Sequence, residues 1–313
     1  MTSSDNSMGQ STAPSLAVQV ARHYYLDGWT KVAIAEKLGV SRFKVSRLID
    51  YARESGLVHI EIREENSIDM ELSESVRQTL GIQRALVLDT ATVDYVTISK
   101  VAADYLSHTV TANATVGLAW SRSTRALADN LPTLPPCTIV QLCGVIPQPA
   151  GEEHNVELVR SAAHNAGAKA VTFYAPLVVP DPKTADILRK QPGIREALAT
   201  CNYLTTAVVA VGMWAPGEST IYDALPPEQS ALFAARGAIA ETCGILLDRD
   251  GQPLHDGLEG RAIAVTIDQL RRASDVVTIT TDAHRVAAVQ ALTRSGLVST
   301  LITTSLVAHR LLQ

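Results

Sequence analysis

Two stretches of this chain concentrate side chains able to do chemistry. In "WSRSTRAL" (120 to 127) Ser121, Ser123 and Thr124 crowd together with Arg122 and Arg125 beside them. If the stretch opens a helix, those hydroxyls, the free backbone N–H groups of the first turn and the guanidinium groups form a phosphate cradle. Simple N-capping by Ser or Thr accounts for the same residues equally well, and both readings stand. The other stretch is "VSRFKVSRLIDYARESG" (40 to 56), which carries four basic residues. Ser41, Arg42, Lys44 and Arg47 are of the types that hold DNA phosphates and base edges, with Ser46 on the same face, and Phe43 can touch a thymine methyl.

The elements that would position the second stretch are legible. Val45, Leu48, Ile49 and Ala52 follow the i, i+3, i+4, i+7 rule, so they face a core while Phe43, Ser46 and Arg47 face outward. A helix over "TKVAIAEKLG" (30 to 39) precedes it, with Thr30 as its cap, Gly39 for a left-handed turn and Ser41 to cap the second helix. "LAVQVARHYYLDG" (16 to 28) supplies a third helix, and "VHIEIR" (58 to 63) alternates as a short strand, a wing beside the DNA backbone. The whole reads as a winged helix-turn-helix. Between Ser15 and Arg63 there are eight Lys or Arg against five Asp or Glu, a net of +3 in a chain of net −5, so the remainder stands at −8. Basic charge is focused where double-stranded operator DNA would bind, and the rest of the molecule repels nucleic acid. The plain alternative is a basic helical subdomain without DNA.

Length bounds the rest: of 313 residues about 250 follow the first 63, enough for a large core. The expected divisions are a disordered polar tail over 1 to 14, the helix-turn-helix domain over 15 to 63, a linker over 64 to 82 with a helix at 67 to 81, and a large domain over 83 to 313. The tail lacks the apolar run of a signal peptide, and no stretch approaches the 18 apolar residues of a membrane span. Cys137, Cys143, Cys201 and Cys243 show no CxxC spacing, and the eight histidines form no HExxH or i, i+4 pair. These features point to a reduced, cytoplasmic protein with no structural metal. Without a P-loop, or a GxGxxG after the first strand, neither ATP hydrolysis nor a dinucleotide cofactor has support, and no cofactor is expected.

Within the large domain, apolar runs at 85 to 90, 115 to 120, 137 to 144, 170 to 176, 205 to 212, 275 to 282 and 299 to 304 read as strands. Between and after them, helices are expected at 94 to 109, 123 to 130, 155 to 166, 183 to 200, 228 to 241, 284 to 294 and 305 to 312. Continuous apolar strands separated by helices predict an α/β fold, a doubly wound and mostly parallel sheet covered on both faces. Ligands of such sheets bind beyond the carboxyl ends of the strands, where "WSRSTRAL" falls.

Taken together the two parts resemble the SorC-type bacterial transcriptional regulators, which include deoxyribonucleoside and autoinducer-2 regulators. The resemblance covers nearly the whole chain after the tail. It is carried by "YYLDGWTKVAIAEKLGVSRFKVSRLIDYARESGLVHIEI", "VGLAWSRSTRAL", "IVQLCG" followed by Asn155, "YAPL", "VVAVGMW", "ARGAIAETCGILLDRDG" and "GLVSTLITT". The first is strong; the order and spacing of the others make the match specific.

What the resemblance implies is an effector domain similar to sugar-phosphate isomerases, binding a sugar, polyol or sugar phosphate that alters operator affinity, in a homodimer or homotetramer. By position its phosphate loop falls on Ser121, Arg122, Ser123 and Thr124, and a second loop on Cys143 and Gly144. Glu241 stands where the family usually carries an Asp that meets sugar hydroxyls, with Ala240 in place of a glycine. Arg285 stands where a Lys is usual, and the double glycine before it becomes Thr281 and Asp282. Arginine cannot form a Schiff base, so covalent capture of an aldehyde there is excluded, although phosphate or carboxylate could still be held.

The implied function is a one-component regulator, a repressor in the usual family sense, of a carbohydrate or polyol catabolic operon. Its rival is an active sugar-phosphate isomerase or aldolase with an accessory DNA-binding domain; no lysine falls in a strand-end loop, and Glu241 has no evident partner acid. A third reading is a regulator that has lost its effector. Among the lesser candidates, Cys143 reads as a small buried residue rather than a nucleophile, His284 equally as a pocket residue or a solvated helix-start histidine, and Tyr222 and Asp223 as turn polarity rather than a loop closing over a ligand. Trp120 and Trp214 read as pocket wall or core.

Overall fold

Hydrophobic periodicity places each helix of the N-terminal part. The structure is a computed structural model that describes residues 13–58, 68–90, 94–146 and 155–313, side chains at 13–15 and 155 excepted. The chain divides between Glu64 and Glu65 into two compact units. In the first, helix α1 (Ala13–Ala21) runs into a π-helical turn at Arg22–Leu26, followed by α2 (Lys31–Leu38) and α3 (Arg42–Glu54). Helix α1 thus begins inside the segment expected to be a tail. The turn is built as its residues require: Thr30 Oγ1 accepts from Ala33 N, Gly39 sits at φ 66°, and Ser41 Oγ accepts from Lys44 N at 3.2 Å. Val45 and Ile49 are buried with Val20, Ile34 and Ala35, while Leu48 is half-buried against them. Apart from Val58, the expected wing lies outside the described residues.

The second unit opens with α4 (Met70–Leu80), the helix expected as a linker. It is instead part of this unit's core: Leu72 and Val76 are buried against Val87 and Ala308. The strands are β1 (Arg84–Leu88), β2 (Thr115–Leu118), β3 (Thr138–Gln141), β4 (Lys169–Val171), β5 (Thr206–Val209), β6 (Gly212–Met213), β7 (Ala240–Thr242), β8 (Ile245–Leu247), β9 (Asp275–Thr280) and β10 (Thr300–Thr304). The remaining helices are α5 (Tyr95–Thr109), α6 (Arg122–Asn130), α7 (Asn155–Ala166), α8 (Pro182–Arg189), α9 (Pro192–Thr200), α10 (Thr220–Ala224), α11 (Pro227–Ala235), α12 (Ile267–Arg272), α13 (Val286–Arg294) and α14 (Ser305–Leu311). No helix among the described residues is long and apolar enough to cross a membrane.

Seven strands form one sheet in the order β1-β10-β9-β5-β2-β3-β4, and every pairing is parallel. Alternation along each strand divides the core in two. Val87, Ala207, Val209, Val276 and Leu301 face the side covered by α4, α13 and α14, whereas Leu88, Val116, Leu118, Val208, Val277 and Ile302 face α5, α6 and α7. Three further strands, β6-β7-β8, make a small antiparallel sheet.

Three expected helices change. The one at 183 to 200 is two, because Pro192 cannot supply an N–H inside a helix and instead begins α9. The one at 284 to 294 starts with a 3-10 turn at Ala283–Arg285 before α13. The one at 228 to 241 stops at Ala235, and Glu241 lies on β7, where its backbone pairs with Gly212 and Leu246. Strands of two or three residues carry too little periodicity to show in the sequence.

At the opposite end of the sheet from the strand exits, Asp275 accepts from Tyr105, Ser299 and Thr300 hydroxyls at 2.6 to 2.8 Å, tying β9 to β10 and α5. Replacing it strands three part-buried donors, each costing about 1 kcal/mol or more. Asp275→Ala is expected to lower unfolding free energy by roughly 2–4 kcal/mol in urea titration; a loss below about 1 kcal/mol would show that the network is solvated in practice.

Candidate functional site

Strands β2, β5 and β9 lie side by side in the middle of the sheet, and their exits part company. The β2 connection enters α6 on one face, and the β9 connection enters α13 on the other. Diverging connections open a crevice at the carboxyl ends, as expected at a topological switch point. A cavity of about 450 Å³ occupies it, of a size that suits a small metabolite. Its wall includes Ser121, Arg122, Ser123, Cys143, Glu241 and Arg285. Residues from four separate stretches of the sequence therefore share one site.

At the β2 end, Ser121 is the N-cap of α6; its hydroxyl accepts from Thr124 N at 3.0 Å and contacts Thr124 Oγ1 at 2.8 Å. These two residues build the helix start, and Thr124 does not line the cavity. The next two positions differ. Neither the Arg122 guanidinium nor the Ser123 hydroxyl has a protein partner among the described residues, and both line the cavity. Arg122 and Ser123 also occupy the first helical positions, whose N–H groups have no acceptor inside the helix.

Gly144 lies outside the wall. A Cβ there would come within 2.7 Å of the backbone at Ala175, Pro176 and Leu177, so the glycine serves the crossing of two chain segments. Cys143 is buried in the wall beside Cys243, whose thiol is pushed up by its hydrogen bond with Cys143 and by burial; Cys201 is pushed up to about 12 by burial. Such thiols are poor nucleophiles, in line with the small-residue reading of Cys143.

Opposite stands the acidic end. Glu241 is buried, and its Oε1 accepts from Ser219 Oγ at 3.1 Å. Burial drives its pKa up to about 7, against the smaller opposing pull of the Ser219 and Gly244 hydrogen bonds and the Arg285 charge. The side chain fits only because Gly212 faces it across the strand pair: a Cβ at Gly212 would run into the carboxyl. Arg285 donates to Val211 O at 2.8 Å and is flanked by Glu218 at 3.5 Å and Asp282 at 3.7 Å. Its charge is already matched by protein carboxylates, so the second anion that this position could have held finds no free cation.

Sequence reasoning missed Glu218, Ser219 and Thr281, all in the wall. Ser219 and Glu218 sit in a loop without a motif, and only their position after a strand hinted at them. Trp120 and Asp223 also line the cavity, whereas Trp214 is core, with Nε1 donating to Ser230 O at 3.1 Å and Tyr222 packed on its ring. His284 is absent from the wall. In the first unit Arg42, Phe43, Lys44 and Arg47 of α3 are exposed, Phe43 at 84 %, and Ser46 is half-buried, accepting from Lys31 Nζ at 3.2 Å.

Residues 64–313 match the family described as "Putative sugar-binding domain". The chain belongs to this sugar-binding-domain family of SorC-type transcriptional regulators. Among similar proteins, the transcriptional regulator LsrR of Klebsiella pneumoniae is 25% identical over 308 residues, 95% of this chain and 92% of that one. The uncharacterized transcriptional regulator YjhU of Escherichia coli is 25% identical over 80% of this chain and 79% of its own length. The full-length sorbitol operon regulator SorC of Klebsiella pneumoniae shares the fold, with a TM-score of 0.72 at 21% identity, covering 96% of this chain and 99% of that structure. The seven-stranded parallel sheet and the N-terminal helical unit are thus the family's architecture, and this chain is a transcriptional regulator.

The Glu241 carboxyl makes stability depend on pH with a definite sign. Its proton leaves near the ordinary 4.5 in the unfolded chain but is held to about 7 in the fold. Between those values folding takes up a proton, so stability falls as pH rises through the window. This group contributes a decline on the order of 3 kcal/mol between about pH 4.5 and 7. Glu241→Gln is expected to flatten that part of the profile in chemical denaturation measured at stepped pH; an unchanged slope would show that the carboxylate is ionised in the fold.

Proposed function

We propose that this regulator senses a small polyhydroxylated metabolite carrying an anionic group, a sugar phosphate or polyol phosphate, and that the bound effector changes its affinity for operator DNA as a repressor of a carbohydrate or polyol catabolic operon. The observation that carries the reading is the α6 entrance: Arg122 and the Ser123 hydroxyl both line the cavity without a partner among the described residues, beside two N–H groups left open at a helix start. Such an arrangement favours a phosphate on geometric and electrostatic grounds alike. The three similar proteins named above are transcriptional regulators, one of them of a sorbitol operon.

The DNA-reading face in this proposal is α3. Arg42, Lys44 and Arg47 project from it with Ser41 at its cap, and Phe43 offers an apolar ring to a thymine methyl. Ser46 would exchange its bond with Lys31 for a base or phosphate contact. Three or four basic contacts per helix give modest affinity alone, which supports a dimer or tetramer that reads paired half-sites.

We hold the site to be a binding site without catalysis. Isomerisation needs a second acid or base aimed at the same substrate carbon as Glu241. The neighbouring carboxylates Glu218 and Asp282 are engaged with Arg285, and among the described residues no lysine lines the cavity for a Schiff base.

Fluorescence anisotropy with DNA from upstream of the protein's own coding region tests both halves. Arg47→Ala is expected to weaken operator binding by roughly 1–3 kcal/mol, with effector binding unchanged. Arg122→Ala is expected to leave operator affinity intact and weaken the response to a phosphorylated effector by at least about tenfold. The proposal fails if folded Arg122→Ala protein answers phosphorylated compounds as the parent chain does, or if no specific DNA binding is found.

A further inference from the structure

We propose that the effector carries a single anionic group, and that the β9 end of the cavity is built for neutral hydroxyls and turns away a second phosphate. This rests on the reading of the α6 entrance as the anion subsite and adds what the other end selects.

The two ends are set apart by the sheet itself. Strand β2 delivers Arg122 and Ser123, strand β9 delivers Thr281, Asp282 and Arg285, and only β5 lies between them. Two inter-strand spacings amount to about 10 Å, roughly the length of a five- or six-carbon chain with one terminal phosphate. A ligand anchored at α6 therefore lays its far carbons over β9.

The groups waiting there ask for hydroxyls. Thr281 is 1 % exposed, and its Oγ1 is buried in the wall without a hydrogen-bond partner. The Arg285 Nε is buried without one as well, although Asp282 stands 3.7 Å from it. A buried polar atom left unpaired is costly unless a ligand satisfies it. A threonine hydroxyl both donates and accepts, and an Nε–H donates. Both suit a sugar or polyol hydroxyl. Glu241, 6 % exposed and held by Ser219, adds a carboxyl next to them.

The charge balance rejects an anion. Among the described residues Arg285 is the sole guanidinium of this end in the wall, and Glu218, Asp282 and the Val211 carbonyl already surround it. A second phosphate would meet two carboxylates, Glu218 and Asp282, around one cation that is already matched. The two ends thus differ in kind. At α6 the cation is unpartnered among the described residues; at β9 it is spoken for.

Inorganic phosphate is the direct probe, because it reads the anion subsites without knowledge of the effector. With the full chain, phosphorus NMR or calorimetric titration is expected to give one saturable phosphate per subunit, lost in Arg122→Ala and kept in Arg285→Gln. In the double variant Glu218→Gln with Asp282→Asn, Arg285 loses its partners and a second phosphate should bind. Among matched ketose and polyol compounds, the monophosphate should bind the parent chain at least tenfold more tightly than the bisphosphate with a phosphate at each end, and the double variant should narrow that ratio. Two phosphates per subunit in the parent chain, loss of the single phosphate in folded Arg285→Gln, or a bisphosphate that binds as tightly as its monophosphate would each overturn the inference while leaving an anion-binding effector domain. Absence of any phosphate binding would overturn the α6 subsite, and this inference with it.

Discussion

Everything about this effector unit follows from the need to cover both faces of an all-parallel sheet. Seven strands running the same way have no hairpin to join them, so each return must cross over a face, and both faces become buried. That is why the strands read as near-continuous Val, Ile, Leu and Ala, and why adjacent residues such as Val208 and Val209, or Leu301 and Ile302, serve different cores. It also puts all strand exits along one edge. Where β2 and β9 send their connections to opposite faces, covering the sheet leaves an opening, and the cavity sits there.

Inside that opening the protein has spent charge unevenly. At one end a guanidinium and two helix N–H groups are open to the cavity; at the other a guanidinium is enclosed by Glu218, Asp282 and a carbonyl. Burying Glu241 so close to other carboxylates is tolerable because its proton is retained to about neutral pH and because Ser219 holds the oxygen. The extra methylene of this glutamate needs room, which the bare Cα of Gly212 on the paired strand supplies. Glycine and glutamate are one device here, since neither works at its position without the other.

Much of this was legible in the chain itself, and the reasons differ by element. The strands of the large sheet stood out because burial on two faces writes a continuous apolar run; edge strand β4 is exposed at Lys169 and Ala170 and is legible only through the apolar residues that follow it. The helix-turn-helix was readable down to single atoms: Thr30, Gly39 and Ser41 each perform the local task that their chemistry predicts. The small sheet was not readable. Strands β6, β7 and β8 span two or three residues each, too short for alternation, and helix α11 pointed straight at them, so Glu241 was placed at a helix end. The site shows the same division. The α6 loop declared itself by hydroxyls and arginines at a strand exit, whereas Thr124 and Gly144 turned out to serve the backbone, and the partners of Arg285 and Glu241 lie 67 and 22 residues away in a loop with no signature.

An effector can shift operator affinity only through a difference in how well it binds the competing states of the protein. The Thr281 hydroxyl and Arg285 Nε, both buried atoms without a hydrogen-bond partner among the described residues, are where the proposal would place such a difference. Each contact restored by a ligand hydroxyl is worth about 1–3 kcal/mol where the group was previously stranded. The usual coupling in regulated proteins, about 1–3 kcal/mol, therefore needs no more than one or two of these contacts to be made in one state and missed in the other. A phosphate at α6, as proposed, would serve a different purpose: it would anchor the ligand in either state and set affinity. On the same proposal, discrimination between ligands and the regulatory signal would both come from the β9 end, where Thr281, Asp282 and Arg285 line the cavity.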